Sequence, residues 1–333
     1  MRKERIFVLL AKACGVGLLQ TSLFVSSAQP AKHTDLDVRW AARTNPWPAR
    51  LWAYKVEPNT FSPAAISNLL LLTGFTTNDK ADYGSNGMLF SSSKVPGTLR
   101  VSFPESTIQY YVTLDYGPNK LAKNLPDEKK LMQLTTNFLS IVGIDIKELL
   151  RKKETDEPDI RFFQQPTLYF ANSTTITNVP YREANFTRSL DGVRFIGYDR
   201  GGDGEVAFGE RGRVCKIRLS WSKVTRDKQF RTVTPDWIVK WIRGGNVVPG
   251  RLRGKAGPVI DQWGEVKTIT IKEAWACCRG EDYSTHLKPV FPTTLTPFAC
   301  LLAKVETPDI STEVLIDCPI VDESKEAPPT KSP

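Results

Sequence analysis

Histidine is nearly absent from this sequence: His33 and His286 are the two in 333 residues. The commonest general base and metal ligand is therefore scarce, and no H-E-x-x-H run sets two imidazoles on one helical face for zinc. No serine elbow or cysteine signature accompanies His286, which stands near Glu281 and Asp282 in "EDYSTHLKPVFP". Cysteine is sparse too, with six in the chain and none of the paired short chelating loops of structural zinc. Beyond the N-terminus no apolar run approaches the roughly 20 residues of a membrane-spanning helix. These absences leave no strong catalytic or metal signature, and neither a metal nor a cofactor is expected.

The N-terminus reads as an export signal over residues 1–28. Arg2, Lys3 and Arg5 are basic, residues 6–10 and 13–25 are largely apolar, and Ser26-Ser27-Ala28 offers small side chains for cleavage. Lys12 breaks the apolar run, which disfavours lipid attachment at Cys14; an uncleaved anchor is the rival reading and the one expected membrane contact. The formal charge is +9, and without residues 1–28 it falls to +6. Outside the cytoplasm such an excess points to an envelope protein or an anionic surface polymer. Nucleic acid is not expected, because the basic stretch lacks interleaved aromatics for base stacking.

Three times the chain writes proline or a capping residue in and glycine out. Ser62-Pro63 opens a helix that stops at Gly74, Pro126-Asp127-Glu128 opens one ending before Gly143, and Thr234-Pro235-Asp236 opens one ending at Gly244-Gly245. Strand-like runs follow each: 87–91, 98–103 and 107–114; then 160–170, 181–190, 193–198, 205–208 and 213–221; then 266–277, 298–305 and 314–318. The expected fold is α+β, with two or three lobes, each a short helix packed on an antiparallel β-meander. Lobes are expected at 29–120, 121–230 and 231–321, followed by a disordered tail at 322–333.

The densest stretch, "FTRSLDGVRFIGYDRGGDGEVAFGERGRVCKIRLSW" from 186 to 221, holds three acidic–glycine clusters. Its acids do not follow the alternation of a calcium loop, and its glycines precede a strand where a phosphate loop needs a helix. Asp191-Gly192 suits a tight hairpin turn, and Cys215, Ile217, Leu219 and Trp221 alternate with polar partners as in a half-buried strand. The acids are thus expected at turns.

In rhythm, "RSLDGVRF" with "GEVAFGERGRVCKIRLSW" resembles PepSY-type and YycI-type extracytoplasmic regulatory proteins. "WAYKVEPNTFSPAAISNLLLLTGF" followed by "GTLRVSFPESTIQYYV" is similar in the same way. That resemblance implies a role in binding or regulating an envelope partner, and it transfers no catalytic residue.

The candidate site is a basic patch. Lys240, Arg243, Arg251, Arg253 and Lys255 lie between 237 and 260 with no acid among them, which suits an anion or partner surface; the rival reading is a solvated helix end. Cys277, Cys300 and Cys318 are disulfide candidates, with buried thiols as the alternative. Cys277 is expected to share a strand face with Ile269, Ile271 and Trp275, and Cys318 one with Val314 and Ile316. Ser91/Lys94 and Ser220/Lys223 match S-x-x-K with no helix to aim the lysine, and read as chance. Trp40, Trp47 and Trp52 read as packing. The expected function is an exported, non-enzymatic binding or regulatory protein. The alternative is an exported hydrolase assembled from acids and His286.

Overall fold

A computed structural model describes residues 36–81, 86–114, 116, 120–164, 166–171, 174–196, 202–245, 266–279, 293–309 and 311–326. Among these residues it has three α-helices and many mainly antiparallel strands, an α+β fold.

The helices begin and end as their local chemistry dictates. Helix α1 (Pro63–Thr73) is capped by the Ser62 hydroxyl, which accepts from the Ala65 N–H, and ends on Gly74 at φ 82°. Helix α2 (Glu128–Ile141) is capped by Asp127, and α3 (Pro235–Arg243) by Thr234. Proline at the first turn loses no hydrogen bond there, and glycine enters the left-handed region without a Cβ clash.

Eight strands form the largest sheet: β3 (Lys80–Ala81), β4 (Gly87–Ser91), β5 (Gly97–Ser102), β6 (Thr107–Val112), β7 (Arg161–Gln164), β10 (Arg182–Thr187), β13 (Asp203–Phe208) and β14 (Val214–Ser220). Their order is β3-β4-β5-β6-β14-β13-β10-β7, antiparallel throughout. One face carries Leu99, Ile108, Tyr110, Ile217, Leu219, Val206 and Phe186. It packs against Leu69 and Leu70 of α1 and Leu131, Phe138 and Leu139 of α2 in one core cluster. Period-two alternation puts the polar partners of these residues on the opposite face.

A second sheet runs β11 (Ser189–Leu190), β12 (Val193–Ile196), β16 (Thr268–Arg279), β18 (Phe298–Glu306), β19 (Ser311–Pro319), with β1 (Asp37–Trp40) also on β16. It is mixed, because β1 and β12 both pair parallel to β16. A third sheet runs β17 (Thr293–Leu295), β2 (Arg50–Glu57), β15 (Lys223–Thr232), β20 (Val321–Glu326). The second and third sheets and α3 share the other core cluster, built on Leu51, Phe195, Phe230, Ile238, Ile269, Leu301 and Ile316. A hairpin of β8 (Thr167–Ala171) and β9 (Thr174–Asn178) pairs only with itself among the described residues.

The sheets cut across the expected lobe boundaries. The largest draws strands from both sides of residue 120, and the third joins segments from 50–57, 223–232, 293–295 and 321–326. The tail differs as well: its first residues, 322–326, extend β20 along the edge of β15, where Thr232 faces Val321 and Phe230 faces Glu326. The exposed edge of β15 offers unpaired backbone groups, and even a polar chain can pair with them.

Candidate functional site

The chain passes from the largest sheet to the second at Arg188. Strand β10 ends at Thr187 and β11 begins at Ser189, so one residue carries the crossing. Its backbone is held on both sides: Arg188 N–H donates to Gly202 O at 2.6 Å, and Phe195 N–H donates to Arg188 O at 2.9 Å. Its side chain is buried, with the guanidinium 4.8 Å from the Trp221 ring centroid and 5.9 Å from that of Phe195. Trp221 belongs to one core cluster and Phe195 to the other, so the cation stands between the two cores. Glu148, in a short 3-10 turn at Ile146–Glu148, accepts from Nε at 2.8 Å, and Ser222 O accepts from Nη1 at 2.7 Å. Burial pushes the Arg188 pKa down from its ordinary value, and Glu148 counters that.

The glycine-rich run beside it serves this packing. Gly202 adopts φ 131°, and a Cβ there would lie 2.4 Å from Arg188 Cβ; a Cβ at Gly204 would lie 2.2 Å from the Phe186 ring. The neighbouring acids divide. Asp191 and Gly192 form the β11–β12 turn with φ of 53° and 79°, as a type I′ hairpin requires. The Asp191 carboxylate accepts from Arg226 Nε at 2.9 Å and from the Tyr54 hydroxyl at 3.1 Å, tying the second sheet to the third. Glu210 also sits in a turn. Asp203, expected in a turn, is instead a strand residue of β13, whereas Glu205, expected to open the strand-like run 205–208, does lie in that strand. Glu205 is buried because Lys216 Nζ lies 2.8 Å from one of its oxygens and 3.0 Å from Glu183. Burial depresses the Lys216 pKa, but hydrogen bonds to Glu205 and Glu183 outweigh it and hold the net value above the ordinary lysine range.

Where the two sheets part beyond Arg188, they leave a cleft of about 410 Å³. One wall is the polar face of the largest sheet, with Arg161, Phe163, Asn185, Thr187 and Asp203; the other is the outer face of the second sheet, with Arg194, Ile196, Trp275, Cys300 and Leu315. Arg161 pairs with Asp159 at 3.1 Å. Arg194 instead stacks on Trp275, 4.7 Å from the ring centroid, and no carboxylate pairs with it among the described residues. The Asn185 Oδ1 atom is buried in the same place with no protein donor among the described residues. A clamped cation and an apolar floor of Cys300 and Leu315 suit an anion with apolar flanks, while the unmet Asn185 acceptor calls for an N–H or O–H donor on the same occupant. A second depression of about 880 Å³, around Trp237, Phe298 and Pro319, has Arg231 as its one lining cation among the described residues.

The sequence-derived basic patch is only partly described. Lys240 is exposed on α3, and Arg243 donates from Nη2 to Val38 O at 3.1 Å, which ties α3 to β1. Arg251, Arg253, Lys255, His33 and His286 lie outside the described residues, as do residues 1–28. Trp47 donates to Val233 O at 3.1 Å and meets Trp40 edge to face at 6.1 Å, while Trp52 lies under Arg226, so the early tryptophans pack.

The cysteines correct the disulfide reading. Cys215, Cys277, Cys278, Cys300 and Cys318 are all free thiols and all buried. A β-bulge between Ile271 and Glu273 reverses the alternation of β16, so Ile269 and Ile271 share the inner core with Ala276 and Cys278. Cys277 is thereby turned to the outer face with Trp275, and Cys318 lies on the inner face. Cys277 and Cys318 also sit on strands separated by β18, so that pairing is ruled out by the sheet order. Cys277 and Cys300 share the outer face as a diagonal pair two register positions apart, and burial pushes the Cys277 thiol pKa up with Cys300 reinforcing it. No group of three or more potential metal ligands occurs among the described residues.

Sequence reasoning misses Arg161, Arg188 and Arg194, and it places Trp275 only as a strand-face neighbour of Cys277. Alternation with buried Val193 and Phe195 places Arg194 on the outward face, but nothing local says that another sheet stands opposite.

No protein-family model and no curated protein matches the chain. A solved structure of an uncharacterized protein from Eubacterium rectale is similar at 9% identity and a TM-score of 0.49, covering 89% of this chain and 90% of that one. Among the described residues no helix is long and apolar enough to cross a membrane.

Proposed function

We propose that this is an exported binding protein that acts without chemistry on an anionic partner of the cell envelope, held in the cleft between the two sheets. The observation that carries the reading is Arg194, laid on Trp275 at 4.7 Å with no carboxylate partner among the described residues. A guanidinium fixed by an aromatic ring has already lost much of its rotamer freedom, so an incoming carboxylate or phosphate meets a donor fork that is set in place. The leader-like residues 1–28, the net positive charge and the resemblance to extracytoplasmic regulatory proteins support the same direction.

The test is a pull-down from envelope extract with the wild-type protein and with Arg194→Glu, run at low and high salt. Retention that is salt-sensitive and lost in the variant supports the reading. Retention that is unchanged by the charge reversal sinks it. Cell fractionation tests export separately, and a protein found wholly in the cytoplasm removes the envelope partner.

A further inference from the structure

We infer, building on the anionic-partner reading, that the occupant of the cleft is an extended peptide of alternating acidic and apolar residues, added as a strand to the open edge of β7. Strand β7 is the last of the eight-stranded sheet and pairs on one side with β10; no strand pairs with its other side among the described residues. Its outward N–H and C=O groups are a template for a further strand. Sheet edges are ordinarily guarded by charge, proline or a bulge. This one carries a lone charge, Arg161, followed by Phe162 and Phe163, and Phe163 is 51% exposed.

The register specifies the pattern. Arg161 stands opposite Asn185 and Phe163 opposite Glu183, so positions 161 and 163 share the polar face of the sheet, and both line the cleft. Phe162 is on the other face and packs against the helix-covered core. A strand laid along β7 sends alternate side chains to these two faces. Those on the cleft side meet Arg161 and Arg194, which favours Asp or Glu. Those on the other side extend the apolar surface at Phe162, which favours Val, Ile or Leu. The nine-residue edge of β19 also borders the cleft through Leu315, but that strand, STEVLIDCP, carries no basic residue to meet an acid, whereas β7 brings Arg161.

The probe is a fluorescein-labelled octapeptide alternating Glu and Val, titrated with the full chain and followed by fluorescence anisotropy. Binding is expected to weaken about tenfold or more with Arg194→Glu or Arg161→Glu, as loss and reversal of a facing charge imply. It is expected to weaken comparably when alternate peptide amides are N-methylated, which keeps the charge and removes the edge hydrogen bonds. Because the methylated peptide tests strand addition with the unaltered protein, a misfolded variant does not blunt the experiment. Equal binding of the methylated peptide overturns strand addition and leaves the anionic reading standing. Preferential binding of polygalacturonate, offered as a competitor, overturns the peptide in favour of a glycan. Binding indifferent to both arginine reversals overturns the inference together with the reading beneath it.

Discussion

The Arg188 guanidinium donates to the Glu148 carboxylate at 2.8 Å from the one residue where the chain leaves the largest sheet for the second. The two partners differ in exposure, with 5% of the Arg188 side chain and 34% of the Glu148 side chain accessible. Removing the arginine also empties space between Trp221 and Phe195. Arg188→Ala is expected to lower stability by about 4 kcal/mol, from lost packing and a broken buried pair. Glu148→Gln should cost about 2 kcal/mol, because water already screens the carboxylate. Urea unfolding with unchanged slope checks both; two variants within error of wild type would remove Arg188 as the junction.

The close approach at Gly202 gives a sharper test. With φ 131° and a Cβ position 2.4 Å from Arg188 Cβ, Gly202→Ala must move backbone or the buried arginine, at a cost of about 3 kcal/mol. Gly143 has φ 76° but no atom within 4 Å of its Cβ position, so Gly143→Ala should cost only the left-handed penalty of about 1 kcal/mol. Equal melting shifts for the two would contradict the packing account.

Lys216 predicts a pH profile. Its folded pKa lies above the unfolded value near 10.4, so its stabilising contribution is complete below that pH and is lost as pH rises through the folded value. Lys216→Met leaves Glu183 and Glu205 without their shared cation. The stability gap between wild type and variant should be widest near neutrality. It should narrow in alkali, where wild-type Lys216 loses its proton. Urea midpoints across pH check this, and a flat gap would be the contrary result.

The thiols give a chemical prediction. All five described cysteines are buried, and burial pushes the pKa of Cys215, Cys277, Cys278 and Cys318 upward, away from the reactive thiolate. Native protein should resist a thiol reagent at these positions. After unfolding without reductant, mass mapping should find each of the five alkylated. A Cys277–Cys300 disulfide peptide would overturn the free-thiol assignment.

The features legible in the sequence are those set by local forces. Ser62, Asp127 and Thr234 cap the three helices, and Asp191-Gly192 makes the expected turn. Strands β2 and β15 are not legible in the sequence because "RLWAYKVE" and "KVTRDKQFRT" carry charge along much of their length, and β15 is largely exposed. The run 181–190 reads as one strand because Arg188 keeps β-like neighbours, yet the chain changes sheet there. The bulge in β16 likewise has no sequence marker, yet it decides which cysteines face which core.

The sequence by itself determined the helix ends, the α+β class and the alternation of most strands, since caps, glycine dihedrals and period-two burial act over a few residues. Tertiary structure alone decided the sheet order, the crossing at Arg188 and the meeting of Arg161 with Arg194 and Trp275 across one cleft. Those depend on pairings between segments up to about 240 residues apart, where backbone hydrogen bonds carry no side-chain code and only the burial of two shared cores selects the partner.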